Sequence, residues 1–406
     1  MNWFNKMENW KLTNLGDVAN FVRGPFGGSL KKEFFVDEGY AVYEQQHAIR
    51  NQFHSVRYFI DENKFKEMKR FELHENDIIM SCSGTMGKVA IVPNNIQKGI
   101  INQALLKISP SNKLDSKFLE NYMKSVTFLN YLNAEVKGVA IKNVASVKDL
   151  KQIPILLPPL TEQQAIVEKL DFAFDAIEKA KANIEKNIEN AKELFQSKLN
   201  EIFSQKGEGN KKWVFKKLSD IFDVRDGTHD SPKYQESGFA LVTSKNLKKG
   251  KITLDKIKFI SEKDFININK RSNVSKGDIL FAMIGTIGNP VVIMEEPDFA
   301  IKNVALIKSN KENNSYFFSY YLDLEMVIKK MQDESKGTTQ RFVSLGYMRN
   351  FEVPCPKIEI QNKIVKQIDL LSEQTNLLQE KYKQKLANLE ELKKSILEKA
   401  FKGELI

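Results

Sequence analysis

Two strings of eleven residues share an Asp, an apolar run and a Gly-Thr-x-Gly ending: DIIMSCSGTMG at 77–87 and DILFAMIGTIG at 278–288. Polar and cationic side chains of similar chemistry surround both strings on segments rich in Gly and Pro. In the first half of the chain these are Arg23, Lys31, Lys32, Gln45, Gln46, Ser83, Thr85, Lys88 and Lys142. In the second half they are His229, Lys233, Ser244, Lys245, Asn246, Thr286, Asn289, Gln340 and Arg341. Such side chains on loops hydrogen-bond to phosphates and to base edges, so they predict nucleic-acid binding rather than bond breaking.

Some of these residues also suit structural roles. Glycines on either side of Thr85 and Thr286 favour a tight turn between strands, with positive φ at one position. A turn backbone placed against a phosphate could donate N–H bonds as well, so the two roles are compatible. His229 follows Gly-Thr in a loop of Gly, Asp, Ser and Pro, which leaves open a satisfied loop histidine and a base contact.

Several kinds of chemistry are missing from the sequence. Cys82 and Cys355 are the only cysteines, and they lack the spacing of metal ligands or of a redox pair, so we expect no metal site and a reducing cytoplasmic location. No GxxxxGK[ST] phosphate loop is present. The segment 157–160, LPPL, shares only two prolines with the catalytic loop of an adenine methyltransferase. We therefore expect a non-catalytic chain without a cofactor of its own.

The net charge is +10, and its distribution is uneven. Residues 161–203 hold 6 Lys and 9 acidic residues, whereas residues 359–406 hold 9 Lys and 8 acidic residues. These two segments together carry −2, so +12 lies on the remainder of the chain. Attraction to a polyanion such as nucleic acid follows from this excess, although a generally Lys-rich composition would produce it too.

The chain is an internal repeat. Trp10 corresponds to Trp213, NQALLK at 102–107 corresponds to NVALIK at 303–308, and the offset stays between about 198 and 203. Each copy begins with about 150 residues in which short β-rich runs such as KVAIVP and PVVIM alternate with helical stretches at 117–133 and 316–333. This pattern predicts two similar α+β domains at 1–160 and 206–356.

A Pro-rich hinge in each repeat leads into a long helix, at 161–205 and at 357–406. The apolar stripe of the first includes Ile166, Leu170, Ile177 and Ile184, and that of the second includes Ile364, Ile368, Leu371, Leu378, Leu389 and Leu392. These spacings of 3 and 4 are typical of a coiled coil. At about 65 Å each, such helices need a partner, and the other repeat supplies one.

The direction of the helices follows from the linker. Residues 204–212 span at most about 30 Å, so the second domain begins near the far end of the first helix. The second helix must then run back to bury its stripe, which predicts an antiparallel coiled coil with pseudo-twofold symmetry. Two independent helical tails are the alternative, and they would expose much more apolar surface.

The order of several strings resembles that of the specificity subunits of Type I restriction-modification systems. These strings are GPFGGSLK (24–31), GTHDSPKY (227–234), GFALVTSKNL (238–247), PPLTEQQAIV (158–167) and SILEKAFKGEL (395–405). The second helix departs from the first, because it begins EIQN at 359–362 where the first has TEQQ.

The resemblance implies two target recognition domains, each followed by a conserved helix, that read a bipartite, asymmetric DNA target. It also implies partnership with two methyltransferase subunits that use S-adenosylmethionine, and with restriction subunits that use ATP and Mg²⁺ to translocate and cut double-stranded DNA. Two alternatives stay open from the residues alone: a coiled-coil scaffold without a nucleic-acid role, and a degenerate two-domain nuclease.

Overall fold

The computed structural model describes residues 9–26, 28–134, 146–204, 213–335 and 341–405. The predicted contacts Lys142 and Gln340, and most of the linker 204–212, lie outside these ranges. The chain divides into two units, the first formed by Met1–Glu185 with Lys383–Ile406 and the second by Lys186–Tyr382.

The first unit contains an α+β head and parts of two long helices. Its strands are β1 (Lys11–Asn14), β2 (Ala19–Arg23), β3 (Phe35–Val36), β4 (Tyr40–Tyr43), β5 (Tyr58–Ile60), β6 (Ile78–Ser81), β7 (Val89–Ile91), β8 (Gly99–Ile101), β9 (Leu105–Pro110) and β10 (Pro154–Leu157). Its helices are α1 (Leu15–Val18), α2 (Gln45–Arg50), α3 (Glu62–Glu67), α4 (Ser116–Lys124), α5 (Val126–Ala134), α6 (Val147–Lys151) and the first part of α7 (Leu160–Ser204). The sheets have the strand orders β2-β9-β6-β7 and β3-β5-β4-β8, and β1 pairs with β10.

The second unit repeats this plan. Its strands are β11 (Phe215–Lys217), β12 (Val224–Asp226), β13 (Phe239–Thr243), β14 (Leu247–Lys248), β15 (Lys251–Ile252), β16 (Lys258–Ile260), β17 (Ile279–Ala282), β18 (Gly288–Val292), β19 (Phe299–Lys302), β20 (Val304–Ile307) and β21 (Glu352–Pro354). Its helices are α8 (Leu218–Ile221), α9 (Glu262–Ser272), α10 (Ser315–Leu322), α11 (Glu325–Asp333), α12 (Leu345–Asn350) and the first part of α13 (Ile358–Phe401). The order β12-β20-β17-β18 matches β2-β9-β6-β7, and β16-β13-β19 matches β5-β4-β8. An isolated bridge between Gln235 and Phe259 stands in place of β3, and the hairpin β14–β15 stands where the first unit has α2.

The repeated string forms a central strand that is buried on both faces. In β6, Ile78 and Met80 pack into the cluster that contains Phe118 of α4, whereas Ile79 packs into the cluster with Tyr43 on the other face. Alternate side chains of a strand point to opposite faces, so a strand covered on both sides is apolar at every position. This burial explains why the apolar run is retained in both copies.

One part of the sequence repeat is displaced in the structure. Ile78 pairs with Ile108 in the first unit, whereas the corresponding Ile279 pairs with Ile307 in the second. The strand register therefore runs at an offset of 199, although the aligned strings NQALLK and NVALIK stand 201 apart. Three residues connect β8 to β9, whereas only Asn303 connects β19 to β20. A register shift of two residues keeps the same side chains facing the core, because side chains alternate along a strand with a period of two.

The helical stretches predicted at 117–133 and 316–333 are each broken into two helices. In the first unit Ser125 has extended backbone angles, and its hydroxyl accepts the Phe128 N–H at 3.2 Å, which begins α5. In the second, Leu324 is extended and begins α11.

The long helices α7 and α13 run antiparallel. In the first unit Glu178 pairs with Lys393 at 2.8 Å, and Lys181 pairs with Glu390, so partner numbers fall as α7 numbers rise. Ile166 and Leu170 are fully buried in the same cluster as Ala400. In the second unit the other end of α7 packs with the start of α13, and the shared cluster includes Leu199, Ile202, Phe203, Ile364, Val365 and Ile368.

The predicted stripe needs correction at two positions. Leu378 is 41% exposed and Leu392 is 47% exposed, whereas the other predicted stripe residues are buried or half-buried. Because successive residues are turned by about 100°, the neighbouring positions Gln379 and Lys393 take the half-buried places instead. Two half-buried positions of α13 are therefore occupied by polar residues, although the spacing of the leucines predicts apolar residues there.

Candidate nucleic-acid interface

The two Gly-Thr-x-Gly segments are turns that join β6 to β7 and β17 to β18. Positive φ angles occur at Gly84 (61°), Gly87 (74°), Gly285 (77°) and Gly288 (115°), and these angles favour glycine. Thr85 and Thr286 lie exposed between them. The turns thus have the structural role considered above while presenting one hydroxyl each to solvent.

The Asp that opens each string anchors the strand on its other end. Asp77 accepts hydrogen bonds from the His74 N–H at 2.9 Å and from the Ser109 hydroxyl at 2.5 Å. Asp278 is wholly buried and accepts from the Lys308 ammonium at 2.6 Å and from the Ser309 N–H at 2.8 Å. Both carboxylates therefore belong to the frame and face away from the turn.

A groove of about 1080 Å³ in the second unit gathers several of the predicted residues. It is lined by Tyr234, Leu241, Thr243, Ser244, Lys245, Asn246, Lys248, Asp255, Lys256, Ile257, Lys258, Ile284, Thr286 and Asn303. Four of these are lysines and one is a carboxylate, so the lining is strongly cationic. A groove of this charge attracts polyanions.

The His229 loop borders this groove and is firmly held. The Nε2 atom of His229 lies 2.8 Å from the Asp226 carboxylate, and its Nδ1 atom lies 2.9 Å from the side-chain oxygen of Asn303, which lines the groove. Asp226 is buried and also accepts from the Arg271 guanidinium at 2.6 Å. The ring itself is 61% exposed, so His229 combines fixed orientation with an open face.

Two predicted residues of the groove are hydrogen-bonded within their own head. Asn246 is buried, and its side-chain oxygen accepts from the N–H and the hydroxyl of Thr243 while its amide donates to the Thr253 carbonyl at 3.0 Å. The Ser244 hydroxyl is buried and donates to the Asn303 carbonyl at 3.0 Å. These hydrogen bonds fix the part of the groove wall to which Asn246 and Ser244 belong.

The first unit brings a different set of residues to the equivalent place. The Arg23 guanidinium lies beside the Cys82 thiol, at the end of the strand that leads to Ser83. Burial raises the pKa of this thiol to about 11, and the positive charge of Arg23 opposes that rise. Ser83, Thr85 and Lys88 are all exposed around the turn. Arg23 and this turn therefore occupy one edge of the sheet β2-β9-β6-β7.

Gln45 and Gln46 begin α2, at the end of strand β4. Both are half-buried, and Gln46 donates to the Glu44 carboxylate at 3.3 Å. The side-chain oxygen of Gln45 is buried and has no hydrogen-bond partner among the described residues. A buried acceptor without a partner costs free energy, and this oxygen has almost no surface open to a ligand in this structure.

The remaining predicted residues are spread around the two heads. Lys31 and Lys32 are exposed beside a short 3₁₀ turn, and Lys31 pairs with Glu33 at 3.6 Å. Lys233 is exposed next to Tyr234 of the groove. The Arg341 carbonyl accepts the Gly285 N–H at 3.1 Å, which places Arg341 beside the second turn.

Asn289 lies in β18 directly after the second turn, and several residues of the groove were not among those predicted from the sequence. Asn289 is half-buried with φ at 48°, a backbone conformation that Asn tolerates, and this accounts for its residue type. The groove residues Tyr234, Lys248, Lys256 and Lys258 were not predicted, although the Lys-rich segment 245–258 was a signal for the three lysines. Lys258 lies over the Tyr234 ring at 5.7 Å.

Other classes of site are not found in the part of the chain that the structure describes. No group of three or more His, Cys, Asp or Glu residues there is arranged to hold a metal ion. None of the described helices has both the length and the apolar character needed to cross a membrane.

The chain has two cationic α+β heads of similar topology and two long paired helices. These features indicate the class of proteins that recognise DNA. The family described as the Type I restriction modification DNA specificity domain matches residues 7–190 and 210–388, and the chain belongs to this family. It has a DNA-recognition role in a Type I restriction-modification system, while catalysis lies in other subunits.

Individual relatives agree. The chain is 26% identical over 335 residues to the Type I restriction enzyme EcoBI specificity subunit of Escherichia coli, covering 76% of this chain and 70% of that one. It is 23% identical to the EcoKI specificity subunit of Escherichia coli strain K12, covering 98% and 89%. The fold is similar to that of the HsdS subunit from Thermoanaerobacter tengcongensis, with a TM-score of 0.63, 19% identity and 98% coverage of both chains. A chain from a study of complex assembly and conformational transition of the type I R-M system gives a TM-score of 0.69 at 19% identity, over 98% of this chain and 99% of that one.

Proposed function

We propose that each head reads one half-site of a bipartite, asymmetric DNA target. The observation that carries this proposal is the shared order of the sheet that bears the turn, β2-β9-β6-β7 in one head and β12-β20-β17-β18 in the other, combined with different side chains at equivalent positions of the turn. Ser83 corresponds to Ile284, and Lys88 corresponds to Asn289. Groups that differ in hydrogen-bonding capacity on one frame favour different base pairs, so the two half-sites should differ in sequence.

Within the second head, Lys245, Lys256 and Lys258 bind phosphates, and Thr286 and His229 face the bases. Lysines supply the larger part of the salt-dependent affinity, whereas side chains of fixed orientation supply sequence discrimination. The fixed orientation of His229 supports a role in sequence discrimination. Its ring is held by Asp226 and Asn303, and Arg271 in turn holds Asp226.

The paired helices set the gap between the half-sites and position the partner subunits. Two methyltransferase subunits with S-adenosylmethionine and the restriction subunits with ATP and Mg²⁺ carry the chemistry. The antiparallel ion pairs and the apolar clusters at the helix ends support a spacer of fixed length.

Footprinting of the chain assembled with its methyltransferase subunits tests this proposal. We expect protection of two short motifs separated by base pairs whose identity does not matter. One contiguous motif would contradict it. The chain without its partners should bind DNA weakly and with a steep dependence on salt.

A further inference from the structure

Phe26 is the most exposed of the large apolar residues in the described part of the chain, at 86%. It follows β2 directly after Gly24 and Pro25. Arg23, Lys31 and Lys32 are close to it in sequence, as is Glu33, which pairs with Lys31. Burial of a phenylalanine ring away from water is favourable, and this ring is left in water on the surface of the head.

The internal repeat shows where Phe26 lies. The Gly24 N–H donates to the Leu105 carbonyl and the Gly227 N–H donates to the Val304 carbonyl, both at 2.9 Å, and each acceptor is the first residue of the equivalent strand, β9 or β20. A Cβ atom at either glycine would overlap a backbone carbonyl, that of Asn102 or Ile301. The second residue after each glycine is Phe26 in one head and His229 in the other.

One backbone difference explains why Phe26 projects while His229 is held. The Thr228 N–H donates to the Ile301 carbonyl at 3.1 Å, and the Thr228 carbonyl accepts from Asn303 at 3.2 Å, so this loop follows the strand. Pro25 stands at the corresponding position and has no N–H to donate. The chain therefore leaves the sheet edge, and the Ser29 N–H closes a turn on the Phe26 carbonyl at 2.8 Å.

We infer that the Phe26 ring makes an apolar contact with a base of the first half-site. Nucleic acid combines an anionic exterior, which suits the neighbouring cations, with apolar base faces and thymine methyl groups, which suit an exposed ring. Its place in the frame is that of His229, which borders the cationic groove of the second head. The inference rests on the proposed function. It adds an apolar contact by Phe26 at the position where the second head has His229.

Photo-crosslinking tests the contact directly. Benzoylphenylalanine is placed at position 26 or, as the control, at position 172, because Phe172 is 80% exposed but lies on α7. Each variant is assembled with its methyltransferase subunits on a duplex that carries the bipartite site. We expect position 26 to crosslink to DNA within one half-site and position 172 to give no DNA crosslink. Absence of a DNA crosslink from position 26, with the footprint of both half-sites intact, would overturn this inference and leave the proposed function standing. If the complex without benzoylphenylalanine gives no bipartite footprint, the proposed function itself is overturned.

Substitution gives an independent measure. Removal of an aromatic side chain that stacks on a base weakens binding by about 5-fold to 150-fold, and we expect Phe26→Ala to weaken specific binding within that range. Phe26→Leu retains an apolar side chain and should weaken binding less. Leu12→Ala is the matched control, because Leu12 is 72% exposed on β1 of the same unit. Equal affinities for Phe26→Ala and Leu12→Ala would also overturn the inference.

Discussion

Gln163 and Gln361 share two hydrogen bonds in the two repeats and differ in a third, which Gln163 donates to the Lys113 carbonyl and Gln361 to the Asn313 side-chain oxygen. The side-chain oxygen of Gln163 accepts the Asp115 N–H, and that of Gln361 accepts the Asn314 N–H, both at 2.8 Å. Their amide groups donate to the hinge carbonyls of Pro158 at 2.9 Å and Pro356 at 2.8 Å. Each long helix is thus tied to its own head by one buried glutamine, even though the two helix starts read TEQQ and EIQN.

Removal of either glutamine should destabilise its own unit. Gln163→Ala and Gln361→Ala each leave a half-buried N–H and a hinge carbonyl without their partner, and we expect each variant to be destabilised by about 1–3 kcal/mol. Denaturant unfolding measures the change. Gln164→Ala is the control, because Gln164 is exposed on the same turn. A Gln163→Ala variant as stable as the control would contradict this role.

The two aspartates that open the repeated strings should differ in importance. Asp278→Asn removes the carboxylate that pairs with Lys308, and hydrogen bonds to charged groups contribute about 1.5–3 kcal/mol. Asp77→Asn should cost less, because its side-chain partner is the neutral Ser109 hydroxyl. Thermal unfolding of both variants makes the comparison. An equal or larger destabilisation by Asp77→Asn would show that the Lys308 pair contributes little.

The groove lysines should govern affinity without governing sequence. Replacing Lys245, Lys256 and Lys258 by Ala should weaken binding to all DNA sequences alike. It should also lower the slope of log K against log salt by about 0.9 for each phosphate that a lysine no longer neutralises. Binding titrations at several salt concentrations measure this slope. Lys311→Ala serves as the control, since Lys311 is exposed in the same unit and does not line the groove. An unchanged slope in the triple variant would mean that the groove does not bind phosphates.

Shortening both long helices together should shorten the gap between half-sites. Lys181 and Glu390 lie side by side, so residues 182–188 and 383–389 are the matching segments to delete. Removing seven residues shortens a helix by about 10 Å, which corresponds to about 3 base pairs. Mapping of the methylated motif gives the new gap. An unchanged gap, in a complex that still methylates, would mean that the helices do not set the spacing.

The sequence predicted much of this architecture because its strongest signals are periodic. The repeat, the two long helices and the glycine turns at Thr85 and Thr286 all follow from spacing, and the antiparallel order of the helices follows from the short linker. The two-residue shift between NQALLK and NVALIK does not, because it depends on how many residues connect β8 to β9. Periodicity also misplaced Leu378 and Leu392, since a one-residue rotation of a long helix leaves the spacing of its leucines unchanged.

The candidate site was harder to predict because residue type does not reveal which polar atoms are already satisfied. Asn246 and His229 both suit base contacts by chemistry. The Asn246 amide is used entirely within its own head, whereas His229 keeps an open face. Phe26 could not be predicted, because an exposed apolar residue cannot be told from a core residue before the fold is known.

The central claim is that two heads read two half-sites, and mapping of methylated adenines tests it most directly. The chain is expressed with its methyltransferase subunits in a host lacking other adenine methylation, once unaltered and once with residues 10–150 replaced by the head of another family member. We predict a bipartite motif for the unaltered chain and a change in only one half-site for the hybrid. A contiguous motif, or a hybrid in which both half-sites change, would contradict the account.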